Sequence, residues 1–171
     1  MADIPRHVHD TDLLRDWVDL GDSQENPYMR FMAYWVAFNM LYEPYKKKVE
    51  AEMHNKKGAR TSLDRRAIEL LFENESNLEL YDPFASGDAD FFSSVELFKL
   101  YDWEVRQVYN ARKAIKNGDA VKLMKAVYTV RCNLVHGNKR IGDPTDIAFA
   151  ETGAIIVRGH LETYGFIRNS K

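Results

Sequence analysis

Apolar residues return at three- and four-residue steps along most of this chain, the period of one face of an α-helix. Leu13, Leu14, Trp17 and Val18 share a face. With Asp10 or Thr11 as cap, they predict a first helix over Asp10 to Leu20, stopped by Gly21 and Asp22. Asn26-Pro27 opens a second helix, with proline at its favoured first position. From Phe31 to Tyr42 that helix is apolar on every side except at Asn39. A helix that is hydrophobic all round is buried all round, so this is the expected central helix, and Pro44 is the expected place for an end or a kink.

The polar stretch Tyr45 to Arg60 continues as helix for two or three turns and breaks at Gly58. Thr61 or Ser62 caps a third helix through about Glu73, with Leu63, Ala67, Leu70 and Leu71 facing inward. Asn74 to Asp90 reads as an irregular connection, and Phe91 to Lys116 as a long amphipathic helix. Asn117-Gly118-Asp119 is a stop and restart: Asp119 caps the helix Ala120 to His136, and Gly137 ends it. A last helix runs from Pro144 to about Tyr164, weakened by Gly153 and Gly159. Ile155-Ile156-Val157 is the one place where a strand is conceivable. The pattern predicts an all-α fold, an up-and-down helical bundle of five to six helices in a single domain over residues 1–171.

Composition narrows the function classes. The 171 residues are 45% hydrophobic and 29% charged, enough to bury a core without disulfides and unlike a disordered chain. With 24 Lys+Arg against 26 Asp+Glu, the net charge of -2 does not predict general nucleic-acid affinity, though it leaves room for a local basic patch. The single cysteine, Cys132, forbids an intrachain disulfide and suits a reducing cytoplasm. Met1 to Asp12 lacks an apolar run, so no signal peptide is expected. No apolar run approaches the ~18–20 residues of a membrane span.

One residue breaks the pattern. In the helix Ala120 to His136 the rhythm 124, 128, 131, 135 passes through Met124 and Tyr128 and lands on Arg131. The guanidinium therefore starts from a face that should be buried, which calls for a partner. That partner is either an Asp or Glu on another helix, an internal ion pair, or something outside the chain. His136 follows five residues on, ~500° around the helix, so the two side chains diverge by roughly 140°. Both serve one site only at the helix end, where two surfaces meet, as in a dimer cleft.

The segment Val130-Arg131-Cys132-Asn133-Leu134-Val135-His136-Gly137-Asn138-Lys139 resembles the signature of the HEPN superfamily, an arginine followed after a few residues by a histidine near the end of a bundle helix. The likeness is closer to the Apea-like type, where the segment reads Arg-Asn-Asn-Leu-x-His-Gly. Tyr34-Trp35-Val36-Ala37-Phe38-Asn39-Met40-Leu41-Tyr42 is similar to the aromatic helix such domains carry upstream. The resemblance spans about residues 10 to 165, with its specific content in those two segments. It implies a HEPN-like homodimer whose paired motif helices form a shared cleft, acting on RNA as a metal-independent endoribonuclease. Arg131 and His136 would be catalytic with Asn133 beside them, and Asn39, Cys132 and Lys139 would support them. His136 would take the proton of the ribose 2′-hydroxyl or give one to the leaving oxygen, while Arg131 would hold the phosphate. Asn39, a lone amide on an apolar helix, is expected to bond near the Arg131–His136 helix.

Cys132 departs from the family pattern, which often has a polar Asn, Asp or His after the arginine. A thiol is a weak hydrogen-bond donor. A second reading is therefore a binding or dimerisation module without catalysis, in a toxin–antitoxin or phage-defence setting with an antitoxin or another protein as partner. A third is a purely structural helical protein with Arg131 in an internal ion pair. His7-Val8-His9-Asp10 groups two imidazoles and a carboxylate, but no further cluster accompanies them, and no metal or other cofactor is expected. Lys46, Lys47, Lys48, Lys56 and Lys57 form a solvated face or, with Arg60, Arg65 and Arg66, a patch that tracks phosphates.

Overall fold

A computed structural model describes residues 10–54, 62–74, 119–137 and 140–163. These form five helices and no strand: α1 (Thr11–Ser23), α2 (Pro27–His54), α3 (Leu63–Asn74), α4 (Ala120–Val135) and α5 (Pro144–Thr163). The expected helix Phe91 to Lys116 and the connection before it lie outside the described residues, as do His7, His9, Lys56, Lys57, Arg60 and Lys139. Among the described helices none is long and apolar enough to cross a membrane.

The helix starts follow local chemistry. Asp10 and Asp119 each accept a backbone N–H three residues on, at 2.8 and 2.9 Å. Asn26 accepts from Tyr28 and Met29, and Asp143 from Thr145 and Asp146, in both cases just before a proline at the first helical position. Ser62 stands at the start of α3, but its hydroxyl meets the Tyr128 hydroxyl at 3.1 Å.

α2 is the central helix, and it packs against each of the other four. Phe31, Ala37, Phe38 and Leu41 are completely buried, and Tyr34, Trp35 and Tyr42 nearly so. Pro44 lies inside α2 without ending it. The bonding lost by its missing N–H is local, and Val49, buried beyond the proline, anchors the continuation.

Two glycines behave differently from their sequence expectation. Gly21 and Asp22 do not stop α1, which runs on to Ser23. A Cβ at Gly21 would overlap Tyr34 Cε1, so the bare backbone is what lets α1 rest on the α2 ring. Asp22 then accepts from the Tyr34 hydroxyl and from Arg158 Nε, tying α1 to α2 and α5. Gly153 serves α5 likewise: a Cβ there would sit 2.8 Å from Phe31 Cε2. Ile155-Ile156-Val157 is helical, with Ile156 and Val157 fully buried.

His160 of α5 is buried against the rings of Phe72 and Phe38, with centroids 5.4 and 6.5 Å away. Desolvation pushes its imidazole down to about 4.

Gly21→Ala and Gly153→Ala should each destabilise the chain by about 1–3 kcal/mol, because overpacking outweighs the propensity alanine gains in a helix. Denaturant unfolding checks this, and a stabilised variant would contradict the close approach. The unfolded chain takes up the His160 proton first as pH falls from about 6.5 toward 4. The stability this group contributes is therefore complete above that window and lost through it, by at most about 3 kcal/mol. His160→Leu should flatten the pH dependence of urea stability over this range; an unchanged slope would refute the assignment.

Candidate functional site

The site is built on the last two turns of α4. Met124 and Val127 are completely buried and Tyr128 nearly so, which fixes the face that α4 turns to α2 and α3. Further along, the same stripe rises out of the core, and Val135 is 51% exposed. Arg131 lies at this emergence and is half-buried. Its Nε is buried and has no hydrogen-bond partner, and among the described residues no carboxylate pairs with the guanidinium.

The helix ends as its sequence predicts. The His136 N–H donates to the Cys132 carbonyl at 2.9 Å and the Gly137 N–H to that of Leu134 at 3.2 Å, with Gly137 at φ +71°. The His136 ring is exposed at this end, while Cys132 and Asn133 are half-buried.

The aromatic segment of α2 packs against the turn of α4 that comes just before the motif segment. The Trp35 ring lies 6.0 Å from Tyr128 and 6.3 Å from Tyr42. Burial raises the Tyr42 hydroxyl far above its ordinary value; the Asp64 carboxylate adds to this and the Arg131 guanidinium opposes it. Arg131 and Tyr42 therefore share one electrostatic neighbourhood, together with Asp64.

A polar network that sequence reasoning missed runs behind Arg131. Asp64 of α3 receives Lys46 Nζ at 2.8 Å on Oδ1 and the Tyr128 hydroxyl at 3.2 Å on Oδ2. Lys46 also pairs with Glu43 at 2.6 Å and donates to Asn39 Oδ1 at 3.4 Å. Burial works against the ammonium charge, but Asp64 and Glu43 outweigh it and hold Lys46 above its ordinary range. Burial of the Tyr128 ring, with Cys132 and Asp64 nearby, pushes its hydroxyl up to about 12, against a bond with Ser62. The Glu43–Lys46 spacing was readable as a helical pair; the approach of Asp64 to both Lys46 and Tyr128 is tertiary and leaves no local signal.

Asn39 is half-buried, as expected of an amide on the central helix, but its hydrogen bonds go to Glu43 and Lys46 on α2 itself. Among the described residues it connects to α4 through the relay Lys46, Asp64, Tyr128. Of the five described members of the basic patch, three are engaged within the fold. Lys46 is in the network, Arg66 pairs with Glu69 and Glu73, and Arg65 lies over the Tyr128 ring and bonds Thr129. Lys47 and Lys48 are exposed. Comparison of the chain with family profiles, curated proteins and solved structures finds no match.

Nothing lies within 4 Å of a Cβ placed at Gly137, so its requirement is purely the left-handed backbone. Gly137→Ala should cost about 1–2 kcal/mol, and Gly137→Asn less. Amide exchange over the last turn of α4 would report the fraying; equal protection in all three chains would contradict this.

Proposed function

We propose that this chain is a HEPN-type helical domain that acts on RNA as a metal-independent endoribonuclease, with Arg131 and His136 at a homodimer cleft. The observation that carries the reading is the state of Arg131. Its guanidinium rises from a core-facing stripe, its Nε is buried and unpartnered, and no described carboxylate neutralises it. A cation held this way favours an anion from outside, and a phosphate suits the guanidinium. The aromatic segment of α2 packs against the turn of α4 that precedes Arg131, which supports treating the two resembling segments as one unit.

The chemistry follows from the residue types. The exposed His136 takes the 2′-hydroxyl proton, and the 2′-oxygen attacks the adjacent phosphorus. The phosphorus–5′-oxygen bond breaks, and the leaving oxygen receives a proton from a His136 imidazolium, to give a cyclic phosphate and a free 5′-hydroxyl. Arg131 stabilises the charge on the phosphoryl oxygens as the transition state forms. Asn133 orients the phosphate or the imidazole. DNA lacks the nucleophile. Because Arg131 and His136 diverge by roughly 140° on one helix, the reading places a second copy of α4 across the cleft. Val135 and Ile141, 51% and 90% exposed, offer apolar surface at that end.

A second reading, a binding module without turnover, is favoured by Cys132. This half-buried thiol lies near the Tyr128 hydroxyl and stands where a polar residue accompanies the arginine in the family pattern.

Purified protein should cleave single-stranded RNA in the presence of chelator, leave DNA intact, and lose about 100-fold or more in rate on His136→Ala or Arg131→Ala. Equal cleavage by all three chains rejects the catalytic assignment. RNA affinity without turnover in the parent selects the binding module.

A further inference from the structure

Arg131 raises a question that its helix alone does not answer: why it pairs with no carboxylate among the described residues when one stands so near its surroundings. Asp64 bonds Tyr128, one turn before Arg131 on the same face of α4, and its charge and that of Arg131 both act on the Tyr42 hydroxyl. Both Asp64 oxygens are engaged, one by Lys46 and the other by Tyr128. Lys46 is held in turn by Glu43 and by the Asn39 amide. The Lys46 and Asp64 side chains are 22% and 23% exposed, so solvent screens their attraction only in part.

We propose that Lys46 is a positioning residue for Arg131: by holding Asp64 in an ion pair it keeps that carboxylate from capturing the guanidinium, and so leaves Arg131 to bind an RNA phosphate. The inference rests on the reading of Arg131 as the phosphate-binding group. Without Lys46, Asp64 is a part-buried carboxylate short of its counter-ion, a costly state. Arg131, one turn from the Asp64 partner Tyr128, with a long stem and an unpartnered Nε, is a cation on α4 free to relieve it, whereas Arg65 is engaged with Thr129 and the Tyr128 ring. Asn39 gains a role in this arrangement, since its carbonyl oxygen is one of the three acceptors that hold the Lys46 ammonium. A plain clamp between α2 and α3 would behave differently, because removing both of its charges would not restore anything at Arg131.

The test is fluorescence-anisotropy binding of a labelled single-stranded oligoribonucleotide at fixed ionic strength, with thermal unfolding measured on each chain. Arg131→Ala and Lys46→Met should each weaken binding by about tenfold or more. Lys46→Arg, which keeps the ion pair, and the double variant Lys46→Met/Asp64→Asn, which removes the competing carboxylate, should bind like the parent. Asp64→Asn alone should bind at least as tightly as the parent, and it tests the idea even where Lys46→Met folds poorly. Binding by Lys46→Met at the parent level, a double variant as weak as Lys46→Met, or weakened binding by Asp64→Asn each overturns the inference while leaving the Arg131 reading in place. Parent-level binding by Arg131→Ala overturns both.

Discussion

The burial of the aromatic side chains of α2 from Phe31 to Tyr42 is the constraint on which the rest depends. This aromatic run cannot face water, so other helices must cover it, and three of those described meet it at a particular aromatic ring. Tyr34 receives α1 at Gly21, Phe31 receives α5 at Gly153, and Trp35 receives α4 at Tyr128. A buried aromatic contributes about 1.5–3 kcal/mol by transfer alone, so the seam from Phe31 to Tyr42 dominates the interior. The polar contacts work at its margins, where Asp22 gathers α1, α2 and α5 while Asp64 gathers α2, α3 and α4.

The candidate site lies where this packing stops. α4 continues past the depth of the core, and the stripe that was apolar at Met124 and aromatic at Tyr128 becomes cationic at Arg131 and exposed at Val135. Partial burial gives the charges there their influence, since solvent neither screens them fully nor is wholly excluded. Asp64, Lys46 and Glu43 balance one another within the network, whereas Arg131 stands beside it without a bonded counter-ion among the described residues.

What could be read in the sequence follows the range of the interactions. The central helix, the caps at Asp10 and Asp119, the prolines at first helical positions and the left-handed Gly137 depend on residues a few places apart, and a linear reading reaches them. Gly21 and Gly153 look like helix breakers when only backbone propensity is considered; their function is to admit a ring from another helix, which no local pattern announces. Arg131 was visible as a fault in a stripe, but whether a carboxylate pairs with it depends on residues distant in the chain, such as Asp64, 67 positions earlier. Lys46 looked like one lysine among several on a solvated face for the same reason. Asn39 was legible as an amide in need of partners, and its partners proved to be on its own helix.

The burial of the α2 aromatic run under helices from both ends of the chain also bears on how the chain is made. Synthesis runs from the N-terminus, so α2 is complete while α4 and α5, which cover two of its sides, are still unmade. Contacts between α2 and α5 join residues more than a hundred positions apart, as between Phe38 and His160. Such distant closure is slow compared with helix formation. Until it happens, the nascent protein carries an uncovered aromatic helix, the kind of surface on which aggregation begins and which chaperones recognise. The feature that organises the finished core is thus the chief hazard of its unfinished state.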